Sequence, residues 1–146
     1  HRDVKPANFL LSADRGGRAL LADFGVARGL RDGDPGGGTG VVLVTAAYAA
    51  PEMLRGKHCD ARTDVYALGG SLFRLLTGKP PFFDAASKDD TVRSHLHRPP
   101  PQVTRFAPWL PAQLDDVIGT ALAKDPANRY RTAGDLARAA AAALPA

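Results

Sequence analysis

The sequence predicts an α+β fold, mainly α, in which one small β-hairpin precedes four or five helices around a buried central helix. Three observations predict it. Two short apolar segments, residues 9–11 and 19–22, flank the turn-forming run Asp14-Arg15-Gly16-Gly17. Residues 64–77 are apolar on nearly every face (Val65, Tyr66, Ala67, Leu68, Leu72, Phe73, Leu75, Leu76), and a helix apolar all round belongs inside a fold. Leu114, Val117, Ile118, Ala121 and Leu122 recur at helical spacing and mark one buried stripe.

The other elements follow in chain order. Residues 26–49 show no clear periodicity, and the run Asp34-Pro35-Gly36-Gly37-Gly38 resists regular structure, so a long functional loop is expected there. Pro51 opens a short helix to Arg55, which Gly56 ends. Gly78 and Pro80 stop the central helix. Ser87 and Asp90 have capping-box spacing, and residues 99–101, all Pro, break the helix they start. Thr132 and Asp135 start a last helix that fades by Leu144. Asp64 is expected to cap the central helix.

A chain of 146 residues suffices for one domain with a core, and 45% hydrophobic against 23% charged residues reads as soluble and globular. The net charge of +4 is scattered, with no basic stripe interleaved with aromatics, which argues against nucleic acid as a partner. No apolar run approaches the ~18 residues of a membrane span, and no secretory signal opens the chain. It begins with His1 rather than Met, which reads as a fragment. A single cysteine, Cys59, fits a reducing cytoplasm, although a membrane anchor elsewhere in a parent protein stays open. His58, Cys59, His95 and His97 fit no zinc spacing and read as surface residues. Phe106 and Trp109 read as packing anchors.

The hairpin brings chemistry together. If its turn is centred between Arg15 and Gly16, partner numbers sum to 31, so Ser12 faces Ala19, Leu10 faces Leu21 and Asn8 faces Asp23. Opposed residues lie ~4.5–5.5 Å apart. An amide oxygen and a carboxylate at that separation suit Mg²⁺, which takes few protein ligands. Asp3 precedes Asn8 on the connecting loop and can act as a general base at the same spot. Lys5 can stabilise a transferring phosphoryl group there.

These residues resemble a known family. His1-Arg2-Asp3-Val4-Lys5-Pro6-Ala7-Asn8 resembles the catalytic loop of protein kinases, and Asp23-Phe24-Gly25 the metal-binding DFG motif. Ala50-Pro51-Glu52 resembles the APE motif. Asp64-Val65-Tyr66-Ala67-Leu68-Gly69 resembles the start of the central helix. Lys124-Asp125-Pro126-Ala127-Asn128-Arg129 resembles the loop whose Arg pairs with the APE glutamate. All five come in the family's order and cover nearly the whole chain. Lys5-Pro6 favours Ser/Thr over Tyr kinases, and the composition looks bacterial.

The resemblance implies a partial kinase domain over residues 1–146: a catalytic loop at 1–8, DFG at 23–25, an activation segment at 23–52 and a helical subdomain at 53–144. It implies that Asp3 accepts the substrate hydroxyl proton, that Lys5 contacts the γ-phosphate of ATP, and that Asn8 and Asp23 hold Mg²⁺ or Mn²⁺. Thr45 would bond the catalytic Asp and Lys, and Thr39 is a phosphorylation candidate in the activation segment. Arg2 would pair with activation-loop phosphate. Glu52 and Arg129 would form an ion pair, and Asp64 would hold the backbone at His1 and Arg2. Val44 departs from the family, which usually has Gly there. The Gly-rich loop, Lys and helical Glu of an N-terminal lobe are absent from these residues, so the chain alone would be inactive, and part of the central helix would be exposed. A protein substrate is implied. A non-catalytic binding module or orphan lobe is the alternative reading, and a small-molecule phosphotransferase ranks last.

Overall fold

The computed structural model describes residues 1–14, 16–23 and 46–145. Strands β1 (Phe9–Leu11) and β2 (Ala19–Leu21) pair antiparallel, with Phe9 opposite Leu21, Leu10 opposite Leu20 and Leu11 opposite Ala19. Partner numbers therefore sum to 30, and the expected register is corrected by one residue. The cause lies in the turn. The Ser12 amide donates to the Arg18 carbonyl (2.8 Å), closing a loop of odd length, residues 13–17, instead of a two-residue turn. The Ser12 hydroxyl donates to the Asp14 carboxylate (2.9 Å), the Gly17 amide donates to the Asp14 carbonyl (3.0 Å), and Gly17 takes a left-handed φ of 55°. A residue of that conformation at the loop's end is what an odd hairpin loop needs.

Among the described residues five α-helices follow: α1 (Pro51–Leu54), α2 (Ala61–Thr77), α3 (Lys88–His97), α4 (Gln113–Ala121) and α5 (Ala133–Ala143). Helix α2 begins three residues before the expected start, because Asp60, and not Asp64, is its cap. The Asp60 carboxylate accepts from the Arg62 amide (2.8 Å) while the Thr63 hydroxyl accepts from the Asp60 amide (3.2 Å). That reciprocal pair satisfies donors a helix start leaves open. Asp64 is thereby left to serve another segment. Gly78, at φ 76°, ends α2 as expected of a left-handed cap. The capping residues expected for α3 and α5 are also in place, Ser87 accepting from the Asp90 amide and Thr132 from the Asp135 amide.

The core gathers on α2. Tyr66 and Phe73 pack with Val103, Ala107, Leu114, Ile118 and Leu122, while Val65 meets Val117, Ala121 and Leu136. Burial is not uniform, however: Leu75 is 72% exposed, while Leu76 beside it packs against the core. Gly69 sets the closeness of α2 to α4, since a Cβ there would stand 2.6 Å from the Ala121 Cβ. Two expectations are overturned here. His95 is fully buried rather than at the surface, with Nδ1 bonded to the Tyr66 hydroxyl (2.8 Å) and Phe82 edge-on to its ring. Burial, and then the charge of Lys124, push its pKa down to about 4, so it is neutral. Trp109 is 78% exposed and anchors nothing, whereas Phe106 does pack, against Phe73 and Phe83.

A buried ion pair ties α1 to the chain beyond α4. The Arg129 guanidinium meets the Glu52 carboxylate in two bonds, Nη1 to Oε1 (2.7 Å) and Nη2 to Oε2 (2.8 Å). Nη1 also donates to the Arg62 carbonyl (2.9 Å), Nη2 to the Lys124 carbonyl (3.2 Å) and Nε to the Ala123 carbonyl (2.7 Å). All five N–H donors of the side chain are therefore satisfied. The Thr63 hydroxyl donates to Glu52 Oε1 (2.8 Å). Burial pushes the Glu52 carboxyl up, but the hydrogen bond and charge of Arg129, with the Thr63 bond, outweigh it and hold the pKa below its ordinary 4.5.

The packing and the ion pair set the outcome of four substitutions. Gly69→Ala lowers the unfolding free energy by about 1–3 kcal/mol through overpacking, while Gly119→Ala, where a Cβ meets nothing within 4 Å, raises it by about 0.5–1 kcal/mol. Urea unfolding midpoints of the two variants check both signs. Arg129→Ala strands a buried carboxylate and costs about 3–5 kcal/mol. A depressed carboxylate contributes stability above its unfolded pKa and loses it as pH falls through the folded one. The chain therefore weakens in acid below pH 4.5, and Glu52→Gln flattens that part of the profile. Denaturation of both proteins across this range reads the difference.

Candidate active site

The first eight residues form a loop laid over α2. Val4 is buried against Tyr48 and Ala67, with Phe9 and Leu21 beside them, so the loop is anchored by apolar packing at its middle. Its start is anchored by charge. The main-chain nitrogens of His1 and Arg2 donate to the two oxygens of the Asp64 carboxylate, at 3.0 and 2.9 Å. A lone carboxylate receiving two consecutive main-chain nitrogens imposes a sharp bend. Arg2 accordingly adopts φ 64°, a strained value for a residue with a side chain.

The His1 ring ties the bend to the hairpin. Nδ1 accepts from the Asp3 amide (3.2 Å), which leaves the proton on Nε2, and Nε2 donates to the Ala22 carbonyl (2.9 Å). Both bonds require the neutral ring with that tautomer. Sequence reasoning gave His1 only a structural role and did not find this link. The two-residue spacing to Asp3 hints at the first bond, but nothing local points to Ala22, 21 residues away.

Asp3 and Asn8 are both buried, at 4% and 5% exposure, so each polar atom there needs a partner. The Asn8 Nδ2 contacts the Asp3 carbonyl (2.7 Å) and Asp3 Oδ2 (3.0 Å). Two acceptors around one atom identify it as the donating nitrogen and turn the amide oxygen to the other side. Lys5 Nζ lies 3.0 Å from the same Asp3 Oδ2. A buried carboxylate is thus held in one orientation by a cation and an amide. The 3-10 turn Pro6–Asn8 supports this geometry, with the Asn8 amide donating to the Lys5 carbonyl (2.9 Å).

Asp23 ends the described part of the hairpin. With the corrected register Asn8 stands opposite Ala22, whose amide donates to the Asn8 carbonyl (2.8 Å), and Asp23 lies one residue beyond. It is exposed and has φ 62°, a left-handed conformation that Asp tolerates better than most residues. The Asn8 amide oxygen and the Asp23 carboxylate are hard oxygens of the kind Mg²⁺ takes, one or two at a time. The donor set is thus compatible with the ion. Among the described residues no cluster of three or more His, Cys, Asp or Glu competes for a metal. Thr39, Thr45, Phe24 and Gly25 lie outside the described residues. Glu52 and Arg129 form the buried pair described above, away from this loop.

Comparison with known proteins accords with this geometry. The Protein kinase domain family matches residues 1–139. Serine/threonine-protein kinase PknJ of Mycobacterium tuberculosis is 57% identical over 148 residues, 99% of this chain and 25% of that protein. Serine/threonine-protein kinase PknF of the same species is 45% identical over 143 residues, 95% of this chain and 29% of that protein. The chain therefore spans about a quarter of the length of these curated relatives. Among solved structures, the Mycobacterium tuberculosis PknI kinase domain superposes with a TM-score of 0.69 at 34% identity, covering 99% of this chain and 46% of that one. A buried Asp–Lys–Asn loop beside a two-stranded hairpin, on a helical scaffold of this kind, belongs to a kinase C-terminal lobe, and the chain is a member of the protein kinase domain family, similar to bacterial Ser/Thr kinases.

Proposed function

We propose that this chain supplies the catalytic loop and the substrate-side lobe of an ATP-dependent kinase that phosphorylates Ser or Thr on protein substrates. The observation that carries the reading is the convergence of Lys5 and Asn8 on one buried oxygen of Asp3. A carboxylate fixed in this way presents a constant geometry to an incoming hydroxyl. Asp3 orients the Ser or Thr hydroxyl and accepts its proton as the oxygen attacks the γ-phosphorus. Lys5 supplies positive charge where the transferring phosphoryl develops negative charge, while compensating Asp3. Asn8, through its amide oxygen, and Asp23 would hold Mg²⁺, which shields the charge of the ATP phosphates when bound.

These 146 residues hold one half of such a site. Positioning both reactants is the main source of rate in phosphoryl transfer, so a lobe without its phosphate clamp lacks that source. We therefore read the chain as inactive by itself and competent with a kinase N-terminal lobe ahead of His1. Arg2, exposed beside the bent backbone, is the residue we assign to pairing with phosphate on the activation segment, where Thr39 is the candidate acceptor. Thr45 is assigned to bonding Asp3 and Lys5. The unpaired Cys59 supports a cytoplasmic setting.

The test is radiolabel transfer from ATP to a protein substrate. The isolated chain gives none. A two-lobed chimera with a kinase N-terminal lobe joined at His1 gives transfer that chelation of Mg²⁺ abolishes, and Asp3→Ala in that chimera lowers it by about 10²–10⁴-fold. Transfer by the isolated chain, or an Asp3→Ala chimera of undiminished rate, would refute the reading.

A further inference from the structure

The Glu52–Arg129 pair has an outer side. There a groove of about 680 Å³ opens between residues 55–58, after α1, and residues 124–126, after α4. Arg55, Lys57 and Lys124 line it together with His58. Among the described residues none of these three cations has a carboxylate within 4.0 Å, whereas Arg93, Arg98, Arg129 and Arg138 each do. The acidic groups of the groove are already engaged. Glu52 is matched to Arg129, and the Asp125 carboxylate accepts from the Ala127 amide (2.9 Å). The groove is left with an excess of positive charge.

Both walls are fixed to the same buried pair. The Lys57 amide donates to the Glu52 carbonyl (2.8 Å), and the Lys124 carbonyl accepts from Arg129 Nη2 (3.2 Å). The separation of the cation-bearing segments is therefore set by the fold before any ligand arrives, which lowers the ordering cost of binding. Lys124 is half-buried, and its ammonium donates to the Ser94 carbonyl (3.3 Å) and lies over the Phe82 ring, so it adds positive charge to this wall while its own hydrogen bond is spent elsewhere. Burial, then the charges of Arg129 and Arg98, push its pKa down to about 8. An added anion would relieve that repulsion.

We propose that this groove binds a phosphorylated segment of a polypeptide, with the phosphate held by Arg55 and Lys57 and favoured by the positive charge of Lys124 on the opposite wall. A phosphate dianion with three acceptor oxygens is matched to the neighbouring cations Arg55 and Lys57 and to the positive field of the facing wall. The groove is larger than a bare phosphate requires, which leaves room for a flanking chain. No Phe, Tyr or Trp is among the lining residues, which does not suit the stacked bases of a single-stranded nucleic acid. The inference is independent of phosphoryl transfer, because no residue of the loop 1–8 takes part.

Fluorescence anisotropy on the chain tests it, with a degenerate peptide pool carrying one central phosphothreonine, the same pool unphosphorylated, and inorganic phosphate as competitor. Arg55 and Lys57 are exposed, so the double variant Arg55→Ala/Lys57→Ala keeps the fold, which circular dichroism verifies. Lys88→Ala, an exposed cation on α3, is the control. The expected result is binding of the phosphorylated pool at least tenfold tighter than the unphosphorylated one. It is lost at least tenfold in the double variant, kept in the control and weakened by salt. Failure of the phosphorylated pool to bind, equal binding of both pools, or unchanged binding by the double variant would overturn the proposal. Competition by inorganic phosphate at the affinity of the peptide would reduce the groove to a small-anion site and overturn the polypeptide ligand.

Discussion

A guanidinium taken out of water is stable in a fold only when its charge is matched and every N–H has an acceptor. Arg129 meets both conditions, and much of the structure is arranged so that it can. Its acceptors come from α1, from the first turn of α2 and from the chain just after α4, as far as 77 residues from Arg129 in sequence. The guanidinium also lies 4.9 Å from the centroid of the Tyr66 ring, at the middle of the core. Three pieces of chain that share no strand and no helix are thus referred to one planar, five-donor group. Lysine has three donors and no plane, so it could not replace it.

The first turn of α2 distributes that order to the candidate active site. Asp60 caps the helix, Thr63 turns inward to Glu52, and Asp64 turns outward to the backbone of His1 and Arg2. Carboxylates in a first helical turn are also favoured by the helix dipole, so Asp64 is held by the helix while it holds the loop. Farther along α2, Ala67 packs with Val4 and Tyr48, and Arg74 donates to the Tyr48 hydroxyl (3.1 Å). The loop 1–8 and the turn Ala46–Tyr48 therefore share one rigid support, which fixes their relative position.

Local signals in the sequence carried most of the fold. Cap residues and glycine stops act within one turn of helix, so Ser87, Thr132 and Gly78 could be read without knowing the fold. The stripe from Leu114 to Leu122 needed only a helical period. What could not be read depended on competition between alternatives. Asp60 and Asp64 are both good caps, and the choice rests on Thr63 completing the box with Asp60. The hairpin register rests on whether Gly16 or Gly17 adopts positive φ, a difference the run Gly16-Gly17 does not encode. His95 and Trp109 were assigned by residue type, whereas their burial is set by where α3 and the following loop meet α2 and the turn at 46–48. For the site, Asp3, Lys5 and Asn8 were legible as a set, because their spacing on one short loop is enough to suggest convergence. The hinge between loop and hairpin, made by the His1 ring, was not.

The backbone of this site is costly to hold. Arg2 and Asp23 are two of the three non-glycine residues at positive φ among the described residues, and such positions cost about 1–3 kcal/mol each. Strain of that size persists only where flanking contacts over-determine the chain. Around Arg2 they do: Asp64 holds the bend, the His1 ring bonds both Asp3 and Ala22, and Val4 is buried two residues on. Asp23 is reached through the same ring, since the Ala22 carbonyl that Nε2 holds is the residue before it. One imidazole therefore sits between the two strained residues and links the carboxylate-bearing loop to the hairpin end. A change that released Asp64 or the His1 tautomer would relax both strained positions at once. Asp3 would then lose its alignment with Asn8 while the helical core stayed intact.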